Sequence, residues 1–227
     1  MKLDNVEITI ETTNRRKTIS IFIERDGSVR VLAPASASQE KIENAVRSKE
    51  YLIFSKLAKW KELNQGKVKR QFVNGQSFLY LGKNYRLSIV NNQDVPLKIS
   101  SGFFKLHKQY LIKANAVFKS FYKEKAINKI KERLELISEK FDDKPKSIKV
   151  LELKNRWASW SPSHNLQFHW KCAMAPVPVL DYIITHEMVH LKYPNHSPAF
   201  WNELDKKMPN FRKYETWLKQ NGVKMSL

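Results

Sequence analysis

The sequence predicts a mixed α+β fold, with a β-rich N-terminal part that contains a helix and a C-terminal part built from helices and a small sheet. Apolar and polar residues alternate over residues 6–34, which is typical of half-buried strands. Apolar residues then recur at helical spacing over about residues 109–140. A shorter helical stripe, which includes Ile183, Ile184 and Leu191, carries two histidines four residues apart.

Residues 1–107 form the predicted β-rich part. Asp26-Gly27 is a turn signal inside its first group of strands. Ser36 or Ser38 is expected to cap a helix that continues to about Leu63. Short strand-like pieces follow, separated by glycine and asparagine turns.

Residues 108–227 form the predicted C-terminal part, which can pack with the first part as one unit. Its expected elements are a long helix, two strands that flank a loop, the histidine-bearing helix and two further helices. Outside the histidine-bearing helix these elements cover, in order, about 109–140, 147–153, the loop 155–163, 165–171, 197–208 and 211–221.

The run that begins at Thr185 carries the most specific chemical signal. His186 and His190 are four residues apart, so a helix places both imidazoles on one face, within reach of a single metal ion. Glu187 lies beside the first histidine, where it can take a proton from a water molecule that the metal activates.

His196 is the predicted third ligand. It follows the turn Tyr193-Pro194-Asn195, which can bring its ring back towards the other two histidines. Three protein ligands leave a fourth position open for water, as in catalytic zinc sites, whereas structural sites usually have a fourth Cys or His. The motif therefore predicts a zinc hydrolase. The alternatives are a buried helix with core histidines and a zinc site without catalysis.

Composition indicates a globular protein, since 42% of the 227 residues are hydrophobic and they include 6 Trp and 12 Phe. No run of eighteen apolar residues and no signal-peptide pattern occur, so we expect no membrane segment and a cytoplasmic location. Cys172 is the single cysteine, which excludes an internal disulfide and fits a reducing compartment. We expect it to be a packed residue.

The formal net charge is +19, and residues 1–150, with 31 basic and 16 acidic residues, hold +15 of it. Such an excess suggests a polyanion partner, with DNA the first candidate, contacted through the basic N-terminal part. A solvated lysine-rich surface is the simpler explanation. No helix-turn-helix pattern or RNA-binding aromatic signature favours the nucleic-acid interpretation.

The chain resembles the YgjP-like metallopeptidase family, a zincin group related to the WLM and SprT-like proteases. The resemblance rests on Leu153–Trp157, the HExxH motif and Pro194–Trp201. Tyr80–Gly82 and the strands between Arg15 and Pro34 extend it over nearly the whole chain.

This resemblance implies a zincin-like C-terminal part, zinc held by His186, His190 and His196, and Glu187 as catalytic base. WLM and SprT-like relatives act on proteins crosslinked to DNA, which would agree with the basic charge.

The chain departs from the family pattern at three positions. Family members usually have Gly and Cys where this chain has Ala158 and Trp160, and Asn where it has His169. Position 160 is therefore not a required ligand. The residues of the expected metal site are intact.

Four residues near the motif are candidates for contact with a substrate. Arg156 and Trp157 are expected to line a substrate cleft, with the arginine near a peptide carbonyl or the developing oxyanion. Tyr193 and Tyr214 are weaker candidates for oxyanion donors. Packing roles are the alternative for all four.

Further residues support the predicted site indirectly. His164 and His169 are not expected to bind the metal. Glu203 or Asp205 is expected to hydrogen-bond a ligand histidine. A strand at 165–170 is expected to hold an extended peptide by backbone pairing.

Together these features predict a cytoplasmic zinc-dependent peptidase that acts on a protein or peptide. Two alternatives stay open from the residues. One is a DNA-associated binding or scaffold module in which zinc only holds the helix. The other is a zinc amidohydrolase with a non-peptide substrate.

Overall fold

The computed structural model describes residues 1–24, 26–64, 70–153 and 156–227. Within these ranges the chain forms six α-helices and three small mixed sheets, which confirms the α+β class. Two compact units are present, Met1–Lys67 and Val68–Leu227. Among the helices in the described ranges, none combines the length and the apolar composition that a bilayer crossing needs.

The first unit consists of a four-stranded sheet and two helices. Its elements are β1 (Lys2–Leu3), β2 (Val6–Thr13), β3 (Ser20–Ile23), β4 (Val29–Pro34), α1 (Gln39–Arg47) and α2 (Glu50–Asn64). The strand order is β1-β2-β4-β3, with β2 parallel and β3 antiparallel to β4. Alternate residues of β4 are buried together with Ile42, Val46 and Ile53 of the helices.

The predicted single helix up to Leu63 is two helices in the structure. Ser38 caps the first as expected, because its Oγ accepts a hydrogen bond from the Lys41 N–H at 3.3 Å. The break follows Arg47, where the Ser48 hydroxyl donates to the Ala45 carbonyl at 2.9 Å. Hydrogen bonds from side chains to the backbone compete with the hydrogen bonds of the helix. The spacing of apolar residues does not reveal this break.

The second unit begins with another four-stranded sheet and a long helix. Its elements are β5 (Ser77–Tyr80), β6 (Lys83–Val90), β7 (Leu97–Ser100), β8 (Phe103–His107), a 3₁₀ segment (Lys108–Lys113) and α3 (Ala114–Ser138). The strand order is β5-β6-β8-β7.

This sheet shares one aromatic core with α3. The ring of Phe118 lies 4.5 Å from that of Phe78 and 5.2 Å from that of Phe104, between ring centroids, and all three side chains are fully buried. Residues 77–107 therefore lie in the same unit as the long helix. The predicted division between residues 107 and 108 differs from the division between residues 67 and 68 in the structure. Strand patterns alone do not reveal which helix covers a sheet.

A three-stranded sheet follows, formed by β9 (Ser147–Leu151), β10 (Ala158–Trp160) and β11 (Asn165–His169). Its order is β10-β11-β9, so β11 is the central strand. The prediction that 165–170 is an edge strand able to receive a peptide is wrong, since β9 and β10 pair with both of its sides. The edge strand that contacts the histidine-bearing helix is β10, within the predicted loop.

The remaining helices are α4 (Val177–Val189), α5 (Pro198–Lys207) and α6 (Phe211–Asn221), and the last two are close to their predicted bounds. Helix α4 follows Pro176 and has Pro178 in its first turn, where a missing N–H costs nothing. Arg133 of α3 binds Asp181 of α4 with two hydrogen bonds of 2.7 and 2.8 Å. This pair fixes α4 along the long helix.

The turn between β5 and β6 abuts the start of α4. The Leu81 N–H donates to the Ala173 carbonyl at 2.8 Å, and the Gly82 N–H donates to the Met174 carbonyl at 3.0 Å. Gly82 has a φ of +79°, and a Cβ built on it would lie 2.8 Å from Pro176 Cγ and 3.0 Å from Pro176 Cα. Only glycine satisfies both the positive φ and the close approach.

We expect Gly82→Ala to lower the free energy of unfolding by about 2–4 kcal/mol, from left-handed strain and overpacking against Pro176. Gly75→Ala is the matched control, because Gly75 has a φ of +85° and open space at its Cβ position. Urea titrations of both variants should show a loss of only about 1–2 kcal/mol for Gly75→Ala. Equal losses would mean that the Pro176 contact contributes nothing.

Candidate metal centre

His186, Glu187 and His190 lie at the C-terminal end of α4. Only 7% of Glu187 and 5% of His190 is exposed, because the helix is packed by α3, β10, α5 and α6. The helix ends at Val189, and the His190 N–H still donates to the His186 carbonyl at 3.3 Å. Both imidazoles therefore remain one helical turn apart on the same face.

His196 reaches this face because α5 begins directly after it. Ser197 caps α5 by accepting from the Phe200 N–H at 3.4 Å, and Pro198 occupies the first turn. The Nε2 atoms of His196 and His186 are 3.0 Å apart. The ring centroids of His196 and His190 are 4.7 Å apart.

The three histidines form a group that could hold a metal ion. Their ligand atoms all lie within 4.8 Å of one another, and no other such group of His, Cys, Asp or Glu occurs in the described part of the chain. Two nitrogens that bind one tetrahedral zinc ion with bonds of about 2.0–2.1 Å lie roughly 3.3 Å apart, which is within this limit. The donor set therefore suits one ion bound by imidazole nitrogen.

A backbone carbonyl orients His190. The Nδ1 atom of His190 lies 2.9 Å from the Tyr193 carbonyl oxygen, so Nδ1–H donates and Nε2 is left with its lone pair. We expected an acidic side chain of α5 in this role. Glu203 instead pairs with Lys207 at 3.4 Å, and Asp205 is exposed.

Phe200 forms the floor beneath all three histidines. It is fully buried, and its ring centroid lies 4.9 Å from that of His186, 4.5 Å from that of His190 and 4.8 Å from that of His196. A buried ring in contact with three imidazoles limits their rotation, and it occupies the side of the site that faces the core.

Two tryptophans form the sides of the site. Trp160 of β10 stacks on His190, with centroids 5.7 Å apart and an interplanar angle of 21°. Trp201 of α5 stacks on His196 at 5.4 Å and 23°. The aromatic surroundings leave the cluster with a low local polarity.

Burial sets the protonation of the cluster. Burial, together with smaller effects of the neighbouring His190 and His196, lowers the pKa of His186 to about 3. Burial also lowers the pKa of His190, although its bond to Tyr193 opposes this. Imidazoles bind metal in the neutral form, so both are ready at neutral pH.

Glu187 lies in the same apolar surroundings. Burial raises the pKa of its carboxyl to about 8, and the positive charge of Arg156 opposes this shift. A carboxyl group whose pKa lies near neutral pH can both accept and return a proton. Arg156, one of the predicted cleft residues, is exposed yet close enough to act on Glu187.

Trp157 has packing contacts. A Cβ on Gly222 would lie 2.6 Å from Trp157 Cζ2, so the indole rests on the C-terminal segment. The Trp157 carbonyl accepts from the His169 N–H at 2.7 Å and from the Cys172 thiol at 3.4 Å. Within the Leu153–Trp157 motif, residues 154 and 155 lie outside the described residues.

The remaining candidate residues are not in the three-histidine group. Cys172 is fully buried, and burial raises the pKa of its thiol to about 12. His169 Nδ1 accepts from the Lys171 N–H at 3.0 Å and so caps a short 3₁₀ segment. His164 occupies a turn with a φ of 58°. Tyr214 lines a separate groove on α6.

Three contacts of the histidines were not predicted from the sequence. The sequence places Phe200 four residues after His196, a helical spacing that could have indicated the contact. Trp160 reaches His190 only through the pairing of β10 with β11. The Tyr193 carbonyl orients His190, a role separate from the oxyanion contact predicted for the Tyr193 side chain, and a carbonyl leaves no trace in the sequence.

Three histidines beside a buried glutamate are the donor set of a metal-dependent hydrolase. The family model of the YgjP-like metallopeptidase domain matches residues 17–221. The chain belongs to the YgjP-like metallopeptidase family, which confirms the resemblance seen in the sequence. Membership indicates a metal-dependent protease that acts on proteins or peptides.

Among solved structures, the crystal structure of the metallopeptidase zymogen of Pyrococcus abyssi abylysin is similar to part of the chain. The match covers 39% of this chain and 90% of that one, with 22% sequence identity and a TM-score of 0.37. No curated protein matches the chain.

We expect Phe200→Leu to weaken metal binding about 10–100-fold, because the smaller side chain frees the imidazoles to rotate. Phe118→Leu is the control, since Phe118 of α3 is equally buried but packs against Phe78 in the sheet formed by β5 to β8. Competition with a chromophoric chelator measures the affinity. Equal weakening in both variants would point to general destabilisation.

Acidification should destabilise the metal-free protein through His186. Below its ordinary pKa of 6.5 the unfolded chain binds a proton there, whereas the folded chain binds it only near pH 3. The free energy of unfolding should therefore fall as pH decreases through this window. Urea titrations at several pH values with chelator present should show that the free energy of unfolding falls less steeply for His186→Gln than for the unchanged protein. An identical fall in both would contradict the assignment of this pH dependence to His186.

Proposed function

We propose that this chain is a zinc-dependent peptidase of the HExxH-x5-H type, with His186, His190 and His196 as zinc ligands and Glu187 as general base. The observation that carries the proposal is the convergence of three histidine ligand atoms within 4.8 Å, at the end of a helix whose buried Glu187 directly follows His186 in the sequence.

Zinc suits this donor set better than a hard cation does. Magnesium and calcium prefer oxygen ligands, whereas neutral imidazole suits zinc and other first-row transition metals. Zinc also accepts three protein ligands with one open position, which matches a group of three histidines. The neutral state that burial imposes on His186 supports metal binding without competition from protons.

The metal, when bound, would polarise the scissile carbonyl and make a water molecule more acidic. Glu187 would take the proton from that water and return it to the leaving amine. A base is most efficient when its pKa lies near the working pH, and burial raises the pKa of Glu187 to about 8. Arg156 favours the charged carboxylate that must accept the proton.

We further propose that the substrate lies along the free edge of β10. This edge strand contacts α4, and its Trp160 stacks on His190. An extended peptide paired with Ala158–Trp160 would pass beside the histidines, with backbone hydrogen bonds supplying affinity. Arg156 lies two residues before the strand, where it would meet a substrate carbonyl.

Glu187→Gln should retain zinc and lose turnover by at least about 10²–10⁴-fold, because it removes the proton acceptor and leaves the three histidines in place. Glu203→Gln is a matched control, since Glu203 is half-buried on α5 and pairs with Lys207. Cleavage of an unfolded protein, followed by mass spectrometry of the products, measures activity. Zinc content is measured in parallel, and His190→Ala should lose zinc.

The same assay separates the other classes of function. Full activity in Glu187→Gln would overturn the role of the base. Zinc binding without any cleavage of protein, together with salt-sensitive binding to added DNA, would indicate the DNA-associated module instead. Release of amine from a non-peptide amide alone would indicate an amidohydrolase.

A further inference from the structure

A groove in the unit Met1–Lys67 is distinct from the three-histidine group. It encloses about 290 Å³ between β3 and the two helices. The strand side is apolar, formed by Ile19, Ile21 and Ile23. The helix side combines apolar and basic residues: Ala45, Ser48, Lys49, Leu52, Ile53 and Lys56.

Strand β3 has a free backbone edge next to this groove. It is the last strand in the order β1-β2-β4-β3 and pairs only with β4 among the described strands. Its side chains alternate, since Ile21 and Ile23 line the groove while Phe22 lies on the other face beneath Arg16 and Arg30, 5.8 and 5.3 Å from its ring centroid.

Natural edge strands are usually blocked by charge, proline or a covering element. Ser20–Ile23 contains no charged residue and no proline. The isoleucines are only half-buried, and Leu52 across the groove is 49% exposed. A free strand edge beside an open apolar groove and a helix is the geometry that proteins use to add an extended peptide as an extra strand.

The charges of the groove select the kind of peptide. Lys49 and Lys56 are exposed, and among the described residues that line the groove they are the charged ones, with no carboxylate beside them. Arg16 and Lys17 precede the strand. A second copy of this chain would bring like charges together, whereas a peptide with carboxylates would meet complementary charge.

We propose that this groove binds an extended acidic peptide segment, which pairs with β3 as an added strand. Apolar side chains of the peptide enter the groove beside Ile21 and Leu52, and its carboxylates lie near Lys49 and Lys56. The unit Met1–Lys67 is then a peptide-binding module that recruits acidic segments of proteins, apart from any cleavage at the histidines.

The test uses the full-length chain with chelator present, so that the probe is not cleaved. The probe is a fluorescein-labelled, end-capped ten-residue peptide in which every second residue is threonine and the residues between are alternately valine and glutamate. Valine and glutamate then project from the same face of the added strand, towards the groove. Binding is followed by fluorescence anisotropy. The matching valine–lysine peptide should not bind. Equal binding of both peptides would overturn the proposal.

Charge reversal in the protein tests the role of the two lysines. Lys49→Glu with Lys56→Glu should weaken binding about tenfold or more, since two favourable charge contacts become repulsive. Lys41→Glu with Lys59→Glu changes the net charge equally at exposed positions of α1 and α2 outside the groove, and should alter affinity less than about twofold. Equal weakening by both pairs would show only a general charge effect and would overturn the site.

Backbone methylation of the peptide tests strand addition. An added strand uses the N–H groups of every second residue, so N-methylation of one alternate set should abolish binding and methylation of the other set should not. Loss with both sets, or with neither, would contradict pairing with β3. A dimer in size-exclusion chromatography that excludes the peptide would assign the edge to a second copy instead.

Discussion

Helix α4 is packed on its sides by α3, β10, α5 and α6, and nearly every residue from Val179 to His190 is buried. Polar groups on such a helix must be neutral or paired, because an isolated buried charge is costly. Burial is the largest cause both of the lowered pKa of His186 and of the raised pKa of Glu187. Burial of the helix thus supplies both a neutral metal donor and a carboxyl group able to exchange a proton near neutral pH.

The chain just after α4 completes the site within a few residues. The helix ends at Val189, and the turn that follows returns the Tyr193 carbonyl to His190. The next helix then places His196 and Phe200 against the same imidazoles. Short connections make this arrangement stiff, because little conformational freedom remains between the parts that must meet.

Free strand edges recur at the two places where we infer peptide contact. Strand β10 lies beside the histidines, and β3 lies beside a basic, apolar groove in the first unit. Each is the end strand of its sheet among the described strands, and such edges can bind extended chains with little dependence on sequence. Side chains next to each edge, Trp160 in one case and Lys49 and Lys56 in the other, would then supply selectivity.

The sequence by itself determined the features that depend on local geometry. The i, i+4 spacing of His186 and His190 is a property of any helix, and prolines and caps mark where the helices begin. The helices after residue 197 and the strands before Pro34 also followed from periodicity, and the family resemblance followed from the motif. The third histidine was within reach of this reasoning because only a short turn separates it from the helix.

Tertiary structure decided the features that depend on long-range pairing or on backbone atoms. Three residues within a predicted loop became β10 only because β11 lies alongside, and that pairing moved the free edge away from 165–170. Phe78 and Phe104 joined the core of the long helix through packing that no local pattern encodes. The Tyr193 carbonyl oriented His190 because of where the chain turns, and every residue carries a carbonyl, so the sequence could not single it out.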